Sequence, residues 1–174
     1  MKRTITICLL AVALLAGGIT MDAKTTKKNA KAKTTKTTSS SFSADLPTIK
    51  QTVTKFYEGA VIGESRSIPL TKSSLSNYCT STLIKKLARE YREEYGESGG
   101  YAVYNLRGDA SDSDPRDKVI SVDADTNNSV IVTYTDCGFT CKTRLYMKME
   151  NGKWKINDYK FISQSSTSKF SEWN

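Results

Sequence analysis

The chain has 174 residues, 26 lysines and arginines against 18 acids, and no histidine. Without histidine there is no Ser-His-Asp triad, no Cys-His pair and no His-bearing zinc site, so any catalysis has to run on Asp, Glu, Tyr, Lys or Cys. The formal charge of +8 resembles that of a nucleic-acid binder, but residues 24–43 alone hold six lysines and no acid, whereas from Ala44 onward 18 basic residues face 17 acidic ones. The folded part is nearly neutral, and no specific nucleic-acid partner is expected.

Lys2 and Arg3 precede an apolar run from Ile5 to Ile19, the order of a secretory signal peptide. The run is shorter than the roughly 20 residues of a membrane span. Small residues lie at its end and just beyond it (Ala16, Gly17, Gly18, Ala23), so residues 1–23 are expected to be removed on export to the periplasm or medium, with no membrane insertion. Cys8 lies inside the run, where it cannot serve as a lipid anchor. Residues 24–43, rich in Lys, Thr and Ser, bury too little apolar surface to offset their ordering entropy and read as a disordered linker. They serve either as a solubilising spacer or as a weak, salt-screened attachment to anionic envelope polymers. Residues 44–174 suit one domain.

Asp45 and Pro47 give a helix start signal, and Leu46, Ile49, Val53, Phe56, Tyr57 and Ala60 recur at helical spacing up to Gly63. A short turn around Leu75 and Tyr78 leads to a second long helix carrying Leu83, Ile84, Leu87 and Tyr91, stopped by Gly96. Its other face (Lys85, Lys86, Arg89, Glu90, Arg92, Glu93, Glu94) reads as solvated. The period then changes to two. Strands are expected over 101–106, 118–124, 130–137, 141–150 and 153–162. Two helices followed by antiparallel strands define an α+β class, the helices packed in the concave face of a curved sheet.

Asn151-Gly152 is the strongest hairpin signal, because both residues accept the positive φ of a type I′ turn. It sets Glu150 opposite Lys153, Met149 opposite Trp154, Lys148 opposite Lys155 and Met147 opposite Ile156, with Met and Trp on the core face. A loop at Gly138-Phe139-Thr140 would place Cys137 opposite Cys141, within reach of a disulfide in an exported protein. It would also put Thr133 opposite Leu145. Cys79 is then left as a buried thiol without an activating base. Val130, Val132, Tyr134, Arg144 and Tyr146 fall on the outer face, which is either covered by a residual helix or loop or is a homodimer surface of the Tyr- and Arg-rich kind.

A first helix ending in Phe56-Tyr57, a second with Leu83-Ile84 and Leu87, and a final hairpin Asn151-Gly152-Lys153-Trp154-Lys155-Ile156-Asn157-Asp158-Tyr159 resemble the cone-shaped nuclear-transport-factor-2-like superfamily, over about residues 45–163. Asp112-Ser113-Asp114-Pro115 with Asp117 is similar to the D-x-D-P signature of one secreted bacterial family of unknown function within it. The resemblance implies a conical pocket between sheet and helices, for which Tyr57, Tyr91, Leu145, Met147 and Trp154 are the candidate lining. It implies no single function.

Two constellations bear on chemistry. Asp109, Asp112, Asp114 and Asp117 offer oxygens to a hard cation, but lack the glycine and glutamate of a calcium loop and read as turn and cap chemistry. No metal and no cofactor are expected. Asp158, in the register of the final hairpin, faces Leu145 on the core side, and a carboxylate there needs a partner or a raised pKa. With Tyr57 as that partner it would form an acid–base pair of the kind ketosteroid isomerase uses. Alternatively, a bulge near Asn157 turns Tyr159 and Phe161 inward and Asp158 outward. The preferred reading is a non-catalytic module binding a small apolar or amphipathic ligand or a peptide. The alternative is a small isomerase- or hydrolase-like enzyme using Asp158 and Tyr57.

Overall fold

A computed structural model describes residues 41–62, 67–108 and 114–166, all within the compact unit Thr37–Asn174. The expected signal peptide, and the expected linker up to residue 40, lie outside the described residues, as do Asp109 and Asp112. No helix among the described residues is long and apolar enough to cross a membrane.

The first helix, α1 (Phe42–Phe56), begins earlier than Asp45-Pro47 implies, because Ser41 supplies the cap by accepting the Ala44 N–H at 3.2 Å. Pro47 therefore sits inside the helix, where Ser43 O loses its usual amide partner but is exposed to water. At Phe56 the winding widens into a π-helical turn, Tyr57–Val61, closed by the Ile62 N–H on Tyr57 O at 2.9 Å. The wider turn lets Tyr57, Ala60 and Val61 all stay buried beside Phe56. Gly59 is required there: a Cβ would come within 2.8 Å of the Ile68 side chain. After a one-turn helix, α2 (Lys72–Leu75), the second long helix, α3 (Ser81–Tyr95), is capped by the Thr80 hydroxyl on the Leu83 N–H and ends at Gly96 with φ +70°. Leu83, Ile84 and Leu87 are its buried stripe.

The expected strand over 101–106 is instead a 3-10 turn, Val103–Leu106. The Ala102 N–H donates to Leu87 O of α3, and Ala102, Val103 and Leu106 are buried together, a spacing no alternating strand presents.

Four antiparallel strands follow, β1 (Val119–Ala124), β2 (Ser129–Asp136), β3 (Phe139–Glu150) and β4 (Lys153–Ser166), paired in the order β1-β2-β3-β4. The Asn151-Gly152 hairpin has the expected register, Met149 opposite Trp154 and Met147 opposite Ile156, with φ of +55° and +74° at the turn. The β2–β3 hairpin does not. Its turn is the two residues Cys137-Gly138, at φ +47° and +85°, so Asp136 pairs with Phe139, Tyr134 with Cys141 and Val130 with Leu145. The register differs by three residues from the expectation, an odd number, and the faces exchange. Val130, Val132 and Tyr134 are core rather than outer surface, and the expected homodimer face keeps only Arg144 and Tyr146 of its five residues. Cys137 and Cys141 are not opposite each other, and neither they nor Cys79 forms a disulfide, so the expected bond is not made.

Two bulges bend β4. The pairing steps from Met147↔Ile156 to Tyr146↔Asp158, leaving Asn157 extra, and from Thr143↔Phe161 to Lys142↔Ser163, leaving Ile162 extra. Residues 78–80 add to the free edge at the start of β4 through Ile156 N–H on Tyr78 O and Thr80 N–H on Ile156 O.

Candidate functional site

The bulge at Asn157 sets which way Asp158 and Tyr159 face. Beyond it Tyr159 pairs with Leu145 and packs on the core, while Asp158 pairs with Tyr146 and turns away. Asp158, with half its side chain exposed, accepts the Lys86 ammonium at 2.7 Å and the Tyr159 N–H at 2.9 Å. Tyr57 is wholly buried elsewhere in the core and donates its hydroxyl to Leu106 O at 2.9 Å. The Thr143 hydroxyl donates to the same carbonyl at 3.1 Å and lies 3.1 Å from the Tyr134 hydroxyl. Burial pushes the Tyr57 and Tyr134 hydroxyls well above the usual tyrosine range. These are satisfied core hydroxyls holding the 3-10 turn against the sheet, and no hydrogen bond joins Tyr57 to Asp158.

The charged face of α3 is only partly solvated. Lys86 lies 4.2 Å above the Tyr159 ring, Glu90 accepts the Tyr159 hydroxyl at 2.9 Å and the Asn105 amide at 3.1 Å, and Glu94 accepts the Tyr104 hydroxyl. These contacts clamp the helix to β4 and to the 3-10 turn. Tyr91 belongs to this region: it stacks at a tilt on Tyr95, 4.9 Å between centroids, and presses on Gly100, where a Cβ would come within 2.5 Å of its ring.

Beneath the Cys137-Gly138 turn, Arg107 and Asp136 form a buried forked pair, Nε to Oδ2 at 2.9 Å and Nη2 to Oδ1, with side-chain exposures of 3% and 0%. Burial raises the Asp136 carboxyl and the Arg107 fork opposes it. Asp117 accepts the Cys137 N–H with both oxygens, at 3.1 and 3.2 Å, and the Asp114 N–H at 3.2 Å. Asp117, Asp136 and Cys137 bring potential ligand atoms within 4.8 Å of one another. The carboxylates of Asp117 and Asp136 are engaged by backbone amides and by Arg107, which makes them the anchor of the turn. Asp114 binds Arg116, which holds its carboxyl down to about 2. Cys79 and Cys141 are poor nucleophiles: burial pushes the first up to about 12 and the second to about 11.

A groove of about 550 Å³ lies between α1 and the β3–β4 turn. Its helix wall is Asp45, Thr48, Ile49, Gln51, Thr52 and Lys55; facing them are Asn77, Tyr78, Gly152, Lys153 and Trp154. Both aromatics are fixed from behind. Tyr78 stacks on Phe56 at 5.2 Å, Phe42 meets Trp154 edge-on at 5.1 Å, and the Trp154 indole N–H donates to Asp45 Oδ2 at 3.0 Å. Of the five residues expected to line a pocket, Trp154 alone lines this groove; Tyr57 and Leu145 are wholly buried, Met147 nearly so, and Tyr91 packs on Gly100. The polar wall has a sequence signal of its own, since Asp45, Thr48, Thr52 and Lys55 follow helical spacing beside the apolar stripe. Nothing in the sequence places Asn77 or Lys153 against it.

No protein-family model, characterised protein or solved structure matches this chain.

Proposed function

We propose that this chain is an exported, non-catalytic binding protein that holds a small amphipathic ligand or a short peptide, and that its α+β domain is a cone of the nuclear-transport-factor-2-like kind. The observation that carries the binding reading is the groove between α1 and the β3–β4 turn. Its volume falls in the range of small-molecule sites, its aromatic residues are held rigidly, and polar groups surround them. The bent β4 and the helices packed against the sheet support the cone. An isomerase- or hydrolase-like role is disfavoured because Asp158 is engaged by Lys86 and Tyr57 by Leu106, apart from one another.

The test is protein-observed NMR with a panel of fatty acids, steroids and short peptides. Binding is expected to move the Trp154 indole N–H and the Gly152 amide together. A panel that leaves both unmoved at millimolar ligand sinks the groove reading, and turnover lost in Asp158→Asn would restore the enzyme. Intact mass of the secreted protein tests export, where a retained Met1 would contradict it.

A further inference from the structure

We infer that the groove selects small organic anions with an apolar body, the anionic group lying against Lys55 and Lys153 and the body against Trp154 and Tyr78. This rests on the groove being a ligand site and adds the charge of the ligand.

An aromatic floor alone does not choose a charge. Tryptophan offers the best face for a cation, so Trp154 by itself would accept an ammonium ligand as readily as a neutral one. The charges of the lining decide. They are Asp45, Lys55 and Lys153, two cations against one anion. Asp45 is spent internally, one oxygen held by the Trp154 indole. Lys55 and Lys153 have no carboxylate partner among the described residues, whereas Lys50, Lys86 and Lys155 are paired with Asp123, Asp158 and Glu150. Other lysines have no carboxylate partner among the described residues either; these two differ in standing over a concave surface with fixed aromatics. Both side chains are exposed, so their ammoniums can turn over the groove toward a bound anion. A cationic ligand meets two ammoniums there, and an anionic one meets two donors able to form charge-assisted hydrogen bonds. Thr48, Gln51 and Asn77 add neutral hydrogen-bonding groups for the rest of a polar head.

The probes are 8-anilinonaphthalene-1-sulfonate and its uncharged counterpart N-phenyl-1-naphthylamine, titrated into the full chain by fluorescence, with the Trp154 indole N–H followed by NMR. The sulfonate is expected to bind more tightly and to move that signal. Lys55→Gln/Lys153→Gln should weaken the sulfonate about tenfold, the order expected for losing charge-assisted bonds, and change the neutral probe less than about twofold. Retained neutral-probe binding shows that the variant is folded. Lys85→Gln/Lys142→Gln removes the same charge elsewhere and should leave both affinities unchanged. Equal weakening by the two double variants, or no weakening by the groove variant, overturns the charge selection. So does a neutral probe that moves Trp154 at the same affinity as the sulfonate, although the groove would then still be a binding site. Trp154 unmoved by either probe overturns the groove itself, and the proposed function with it.

Discussion

Asp136 is the residue on which the β2–β3 turn depends, because it is wholly buried and forked to Arg107. Removing one partner of such a pair strands the other charge in a dry site. Asp136→Ala is therefore expected to cost about 3–5 kcal/mol in urea unfolding, and Arg107→Met/Asp136→Leu to recover part of that loss. A cost below about 1 kcal/mol would mean that water reaches the pair. The thiols give a second test at this scale. Cys79 and Cys141 combine burial with raised pKa values, whereas Cys137 is partly exposed in the turn. Peptide mapping after native alkylation near neutral pH should find Cys137 modified and the other two only after denaturation. Rapid native labelling of Cys79 would contradict its burial.

The two β-hairpins show what local sequence discloses. Asn151-Gly152 announces its turn because both residues tolerate positive φ, and the register, the Met147–Met149–Trp154–Ile156 face and the edge charges follow from it. Cys137-Gly138 adopts the same kind of turn, but a cysteine at φ +47° is outside that code. Its anchor, Asp117 on the Cys137 N–H, comes from 20 residues away. A loop placed at 138–140 instead of this turn inverts the faces of β2. The outward turn of Asp158 was legible as one of two alternatives, since Tyr159 had to be buried; the Lys86 and Glu90 contacts that fix it join α3 to β4 across more than 60 residues. At the same scale, Glu150 ties the β3–β4 hairpin to the start of α3. It accepts the Ser81 N–H at 3.3 Å and the Ser81 hydroxyl at 3.2 Å, with Lys155 at 3.5 Å. Burial acts to raise its carboxyl, and the Ser81 bonds and Lys155 outweigh it, leaving it below the ordinary 4.5. A lowered folded value means stability present above the unfolded pKa and lost as pH falls through the folded one. Glu150→Gln should thus lower Tm near pH 7, and the gap to wild type should close as pH falls below the ordinary glutamate range. A gap that stays constant into acid would assign the effect to shape rather than charge.

Across the whole molecule, α1 is the element held only by distant contacts, whereas each strand is paired with its neighbour in sequence. It crosses the sheet from β4, where Phe42 and Asp45 meet Trp154, towards β1, where Lys50 meets Asp123 and the Val119 N–H approaches Glu58 at 3.4 Å. The Lys50 pair is exposed and contributes little, so docking of the first turns depends on Trp154 together with burial of Ile49 and Val53. The same indole forms part of the groove, which couples the seating of the helix to the binding site. Trp154→Ala is expected to cost about 2–4 kcal/mol, less than a fully buried tryptophan because the side chain is only partly covered. Trp154→Phe keeps the ring contact with Phe42, drops the bond to Asp45, and should cost about 1 kcal/mol. Native-state hydrogen exchange reads where the loss falls. In Trp154→Ala the amides of the N-terminal half of α1 should exchange faster than in wild type while those of β2 and β3 keep their protection, because the strands hold one another without the helix. A ligand that occupies the groove at 100 times its Kd should add about 2.7 kcal/mol to the stability of the wild-type protein, with slowed exchange in that same half of α1. Uniform acceleration across helix and sheet in Trp154→Ala would show instead that the molecule opens as one cooperative unit and that the groove has no separately movable wall.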